Sequence, residues 1–359
     1  KKVFLLLIRQ MDKNEILKWL VECEEEKLES LWDLADSIRH SNVGNEVHLR
    51  GLVEISNYCA RECNYCGLRK PNTKLERYRM SEDEIIACAH DTEKLGYGTI
   101  VLQSGEDYGI ETQLFSNIIK RIKDETSLAV TLALGERSDE DLKVWYEAGA
   151  DRYLLKFETS DKKLYDSIHP PLSGKKSDRI KILRKLRDIG YETGSGVMIG
   201  LPGQKIESIA DDIEMFRELD LDMIGVGPYI PHPDTPLGVQ CEKSDADAQS
   251  SVNKLLMTYK VIALTRIACP KANIPATTAL ATMNPLDGYE KGLMRGANVI
   301  MPNLTPVNYK SFYDIYPSAA RSDLSGTDYH DNIKKRIISI GRTVGIGRGD
   351  SLRIRKVNY

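Results

Sequence analysis

The chain has 359 residues, 41% of them hydrophobic, and a formal charge of -3, which is enough apolar content for one large domain or two smaller ones. Acidic and basic residues are interspersed, leaving neither the basic field that tracks a phosphate backbone nor a polybasic run for an anionic membrane. Nucleic acid and lipid are therefore poor candidates for partners.

The first residues, "KKVFLLLIRQ", hold one apolar run, Val3 to Ile8, far shorter than a membrane span and with no small-residue cleavage site after it. Met11 is a candidate native start, which would make residues 1–10 an extension. A charged helical stretch follows from about Asp12 to His40. Apolar β-type runs then recur at 47–56, 99–105, 128–135, 152–158, 192–200, 223–231, 273–280 and 298–302. Between them lie segments of helical period, such as Ile206, Ile209, Ile213 and Phe216. A capping box, Ser81-x-x-Glu84, opens one helix that should end at Gly96.

Eight strands alternating with helices imply parallel pairing through right-handed crossovers. The expected fold is an α/β (β/α)8 TIM-type barrel over 46–320, with a doubly wound open sheet as the runner-up. Residues 1–45 form an N-terminal helical extension. Residues 321–359 form a C-terminal segment with one helix near 328–344 and a basic end. In such a barrel, chemistry gathers at the C-terminal ends of the strands.

Directly after the first strand comes "SNYCARECNYCGLRK", in which Cys59, Cys63 and Cys66 have the spacing C-x3-C-x2-C. Structural zinc wants four nitrogen or sulfur ligands, and there is no second C-x-x-C nearby and no H-x3-H pair. A [4Fe-4S] cubane held by three thiolates leaves one iron open, and the count of three favours it over zinc or a chance grouping of core thiols. The remaining cysteines are scattered. Cys88 and Cys269 read as core thiols, Cys23 as incidental, and Cys241 as the one to watch. An odd total of seven without secretory context argues against a disulfide framework and for a reducing, cytoplasmic setting.

With Tyr65 before the last cysteine, this motif resembles the signature of the radical S-adenosylmethionine (SAM) enzymes. Similarity to HydE-type [FeFe]-hydrogenase maturases extends through "GLRKPNTKLERYRMS", "TIVLQSGED", "GADRYLLKFET", "GYETGSGVMIGLPGQ", "IGVGPYIPHPDTPL", "NIPATTA" and "GANVIMPN". The resemblance implies SAM chelated by the open iron and cleaved to a 5'-deoxyadenosyl radical. It further implies that Ser104, Gly105 and Glu106 hold the methionine amine, Glu158 the ribose and Arg179 the methionine carboxylate. Tyr65, Ala133 and Ile230 complete the cofactor set, Ile230 offering an apolar surface to the adenine. Thr131, Arg152, Lys156, Thr277, Thr278 and Met301, flanked by Tyr309, Tyr313 and Tyr316, resemble the lining of an internal pocket suited to a small anionic substrate. Lys156 stands where arginine is expected, replacing a bidentate contact by a point charge.

Each position also has a plain reading. Glu106 can be a solvated turn residue, and Glu158 with Arg179 an ion pair of the barrel rim. Two of the three tyrosines can simply pack a helix, and His232, between prolines, reads as a satisfied structural histidine ahead of a general base. Glycines 194, 196 and 200 fall inside a strand, which fails the dinucleotide-binding context and leaves room in the lumen instead. The implied function is a hydrogenase maturase acting on a cysteine-bound iron carbonyl-cyanide complex. A reductant such as ferredoxin or flavodoxin, and possible contact with the other maturases, follow from the same resemblance. The rivals are an amino-acid mutase of the methylornithine-synthase kind and a non-catalytic iron-sulfur scaffold. "YKSFYDIYPSAARSDLSG" contains no cysteine, so a second cluster and sulfur insertion of the biotin-synthase kind are not expected.

Overall fold

The computed structural model describes residues 11–173, 177–242, 247–315, 317 and 327–353. Tyr316 and the stretch 1–10 lie outside the described residues. Strands β1 (Glu46–Ser56), β2 (Thr99–Ser104), β3 (Ala129–Ala133), β4 (Arg152–Leu154), β5 (Glu192–Ile199), β6 (Met223–Pro228), β7 (Val299–Ile300) and β8 (Thr343–Val344) carry the sheet. Their order is β6-β5-β4-β3-β2-β1-β7, every pairing is parallel, and β8 joins the start of β1. The gap between β6 and β7 is bridged by the segment 273–275, where Asn273 pairs with Met223 and Pro275 with Val299. The curled sheet is thereby closed into the expected barrel.

The expected strand 298–302 pairs as a strand only over Val299–Ile300, and two other expected strands are shortened for local reasons. The run 273–280 supplies only isolated bridges, because Pro275 has no N–H to offer a ladder and the Thr277 side chain accepts from Leu280 N–H, capping the helix Thr278–Met283. The run 152–158 stops as a regular strand at Leu154. Beyond it Glu158 takes φ 63°, held by its N–H on Gly196 O and by Met198 N–H on its own carbonyl. A non-glycine residue in the left-handed region carries backbone strain that the surrounding structure must enforce.

Helices cover the outside of the sheet with the faces their periodicity marks. Glu82–Lys94 buries Ile85, Ile86, Cys88 and Ala89, and its Ser81/Glu84 capping box forms as expected. Thr112–Glu125 buries Phe115, Ile118, Ile119 and Ile122, with Phe115 edge-on to Trp145 at 5.2 Å. At the N-terminus, Lys13–Val21 packs on Ile206–Glu218, and Glu25–Val43 on Asp247–Ala268. Cys269 is buried as expected and Cys23 is exposed. Among the described residues no helix is long and apolar enough to cross a membrane.

The segment 343–353 is built into the lower end of the barrel. Arg348 O accepts from Thr99 Oγ1 (2.8 Å) and Arg152 Nη2 (3.1 Å), and Gly349 O from Arg50 Nη2 and Asn273 Nδ2 (both 3.1 Å). Ser351 N–H donates to Glu192 Oε1 (2.9 Å), and its hydroxyl to Asp222 Oδ1 (2.7 Å). This floor lies at the strand starts, opposite the loops that carry the cysteines.

Candidate active site

A cavity of about 1010 Å³ runs inside the ring, from Arg50, Met223 and Asn273 up to the cysteine loop, Glu158 and Ile230. The loop after β1 is braced from within. Arg77 alone donates to the carbonyls of Asn57, Leu68, Arg69 and Asn72 at 2.6–3.0 Å, and Asn57 Nδ2 reaches Glu76 O and Phe312 O, both at 2.7 Å. Gly105 fits tightly beneath it, since a Cβ there would stand 2.3 Å from Tyr58 O and 2.8 Å from Cys59 Cβ. Gly67 likewise packs against Asp314 O and His232. His232 accepts from Asp234 N–H at Nδ1 (3.1 Å) and faces Asp314 Oδ2 with Nε2 (3.0 Å), a structural pairing of the kind expected.

Cys59, Cys63, Tyr65 and Cys66 all line the cavity. Burial pushes the Cys63 thiol up to about 12 and raises Cys59 and Cys66 as well, so the protein alone does not favour thiolates here. Among the described residues no three His, Cys, Asp or Glu side chains converge on a point that one metal ion could hold. Among the buried polar atoms of cavity-lining residues that lack hydrogen-bond partners are Thr131 Oγ1 and Glu158 Oε2. Gly225 leaves open space, a Cβ there meeting only Ser195 O at 3.9 Å. A three-thiol loop, orphaned polar atoms and a wide lumen together fit a [4Fe-4S] cluster with SAM beside it.

Behind the cysteines lies a charged network. Arg61 is buried between Glu106 (Nε to Oε1, 2.7 Å) and Glu136 (Nη2 to Oε2, 2.7 Å). Glu106 also accepts from Tyr108 OH (2.5 Å) and from Glu136 N–H (3.1 Å), while its own N–H approaches Cys59 Sγ at 3.4 Å. Glu136 takes Arg179 Nε (3.0 Å) and the Ser177 hydroxyl (2.6 Å). Burial alone would raise the Glu136 carboxyl, but the His169 ring 3.8 Å away, the Arg179 charge and the Ser177 hydroxyl hold it well below the usual carboxylate range. Arg179 Nη1 donates to Lys156 O (2.6 Å), and His169 places Nδ1 3.0 Å from Cys63 Sγ.

Of the expected cofactor residues, Ser104, Glu106, Glu158, Arg179 and Ile230 line the cavity, whereas Gly105 and Ala133 stand just behind it at the ends of β2 and β3. Lys156 Nζ is 3.0 Å from Glu158 Oε2 but out of line for a hydrogen bond, leaving that oxygen room for another donor. Thr131, Lys156, Thr277, Thr278 and Met301 face the cavity, although the Thr277 hydroxyl is also a helix cap. Arg152 does not line it. Its guanidinium is fully buried in the floor against Glu192, Asp350, Thr99 and Arg348 O. Tyr309 stacks on Tyr78 at 4.6 Å and donates to Glu84, and Tyr313 is buried, accepting from Gln103. Both therefore sit in the wall as packing groups. Arg61, Glu136 and His169 escaped the sequence reading. Glu136 follows a strand end as Glu106 and Glu158 do, a signal that could have found it.

A chain profile described as the Radical SAM superfamily matches residues 53–216. The chain is 43% identical to the [FeFe] hydrogenase maturase subunit HydE of Thermotoga maritima over 97% of its own length and 96% of that protein's. It is 30% identical to the 3-methylornithine synthase of Methanosarcina acetivorans over 81% of its length and 79% of that protein's. Among solved structures, methylornithine synthase (PylB) superposes with a TM-score of 0.78 at 26% identity, covering 96% of this chain and 97% of that one. With the cysteine triad placed at the first strand end of a parallel barrel, these likenesses lead to one conclusion: the chain belongs to the radical SAM superfamily and is a radical SAM enzyme.

Proposed function

We propose that the enzyme is a HydE-type maturase acting on a small, anionic, cysteine-bound iron carbonyl-cyanide precursor of the hydrogenase diiron centre. When bound, the cluster and SAM supply a 5'-deoxyadenosyl radical. Cys59, Cys63 and Cys66 hold the cluster, and Tyr65 closes the loop over it. The backbone carbonyls of the Ser104–Gly105–Glu106 turn receive the methionine ammonium, and Arg179 its carboxylate. The unsatisfied Glu158 oxygen accepts from the ribose, its strained backbone aiming it into the lumen. Ile230 supports the adenine. The closed floor and enclosing strands keep water from the reacting centre.

The observation that carries the substrate reading is the state of the carboxylates on the cavity wall. Glu54 accepts from Asn303 and Thr305, Glu106 is taken by Arg61 and Tyr108, and Glu158 faces Lys156. The Thr131 and Thr278 hydroxyls and the unpartnered Nε of Arg50 complete the lining, which suits an anion better than the ammonium of an amino-acid substrate. The 43% identity to a maturase over nearly both chains points the same way. The second reading, an amino-acid mutase, is favoured by the likeness to methylornithine synthase. A ferredoxin or flavodoxin would deliver the electron, and the other hydrogenase maturases would supply and receive the iron complex.

The test is anaerobic reconstitution with SAM and reductant, offered either a synthetic cysteine-bound iron carbonyl-cyanide complex or lysine. The maturase reading expects loss of the iron complex in the first mixture and, there alone, SAM turnover above the level seen without any substrate. Turnover with lysine alone would support the mutase, and cluster binding without SAM cleavage in either mixture would leave a scaffold.

A further inference from the structure

His169 caps the C-terminus of the helix Lys162–Ile168, where Pro170 prevents the helix from continuing. Two hydrogen bonds clip that helix end to the cysteine loop: Asn64 N–H to Ile168 O and Asn64 Nδ2 to Ser167 O, both at 2.8 Å. The clip brings His169 Nδ1 to 3.0 Å from Cys63 Sγ, although the two residues are 106 positions apart. The ring is fully buried and packed on Tyr165 at 4.9 Å between centroids. The contact is thus held by backbone on both sides and by packing.

The tautomer follows from the partners. Nε2 lies 3.3 Å from Arg179 Nη2, and a guanidinium N–H can only donate, so Nε2 accepts. Glu136 Oε1 is 3.8 Å from the same nitrogen, too far for a hydrogen bond. The proton therefore resides on Nδ1, facing the sulfur. An iron-bound thiolate has no proton of its own, so a deprotonated Nδ1 would set two lone pairs against each other.

We propose that His169 is a positioning residue for the cluster, donating its Nδ1 proton to the Cys63 sulfur and thereby raising the reduction potential of the cluster. Reduction adds negative charge that spreads onto the ligand sulfurs, so a donor there stabilises the reduced state more than the oxidised one. Glu136, by holding Arg179, fixes the tautomer at one remove. The inference rests on the cluster of the superfamily and is independent of the substrate reading.

The experiment is an EPR-monitored redox titration of the anaerobically reconstituted full chain without SAM. His169→Ala is expected to make reduction about tenfold less favourable, which is ~59 mV lower for one electron. In His169→Asn the amide nitrogen can take the place of Nδ1, so that variant should stay within about threefold of the parent at the strength of a single hydrogen bond. An unchanged potential in His169→Ala, or equal shifts in both variants, overturns the proposal. Should His169→Ala fail to load iron, pulsed EPR of the parent protein grown with 15N-histidine decides. A weak 15N coupling to the reduced cluster is expected, and its absence contradicts the hydrogen bond.

Discussion

Arg152→Met separates two accounts of a lumen residue that the family resemblance assigned to substrate. The Arg152 guanidinium has no solvent exposure and holds Glu192 Oε2 at 2.7 Å, Thr99 Oγ1 at 2.9 Å, Arg348 O at 3.1 Å and Asp350 Oδ1 at 2.5 Å. Removing one partner of a buried pair costs about 3–5 kcal/mol. Asp350 is 47% exposed, so water screens its share and the lower end of that range, about 3 kcal/mol, applies. With roughly 2.1 cal/mol/K of unfolding entropy per residue over 359 residues, the melting temperature should fall by about 4 °C. Asp350→Asn should cost under ~1 kcal/mol, because its side chain is half in water. The assay is thermal unfolding of cluster-loaded protein under anaerobic conditions, paired with substrate-dependent SAM cleavage. A melting temperature within about 1 °C of the parent, combined with a raised KM, would refute the floor account and return Arg152 to the substrate pocket.

Three further outcomes are expected. Replacing Cys59, Cys63 or Cys66 by Ala should abolish the brown absorbance and bound iron of the reconstituted protein, while Cys88→Ala, in the helix core, should keep both; equal losses would contradict the division. Gly105→Ala forces a Cβ to 2.3 Å from Tyr58 O, so the cysteine loop must shift and iron incorporation should fall, measured as iron per chain; normal loading would mean that the loop tolerates displacement. Burial raises Asp212 from an ordinary 3.8 to about 7, against hydrogen bonds from Ser160 and Thr159, and its Oδ2 has no partner. The unfolded chain then releases this proton more readily than the folded one, so stability falls as pH rises from about 4 to about 7. Asp212→Asn should remove that slope in urea unfolding, and an unchanged slope would show that Asp212 is ionised in the folded protein.

Much of the barrel was legible because its signals are local. β-type runs separated by helical period mark the strands, and Ser81 with Glu84 marks a helix start within four residues. The seventh strand was overread because apolar character hid what Pro275 and Thr277 do to a ladder. The cysteine triad was legible because all three thiols share one loop. The network behind it was not, since Arg61, Glu136 and His169 meet only after the chain has wound through three strands. Sequence spacing says nothing about such meetings. The same holds for the floor, where Arg152 and Asp350 stand 198 positions apart. A motif-based reading assigned Arg152 to the pocket because its place on β4 fits, but which way the guanidinium turns depends on a tail that carries no motif.

The most direct measurement is the fate of SAM in the reconstituted protein. Anaerobically loaded with iron and sulfide, reduced with dithionite and given SAM, the chain is predicted to release 5'-deoxyadenosine or an adenosylated product, and Cys63→Ala to release neither. A protein that carries the reduced cluster and returns SAM intact would contradict the account at its centre.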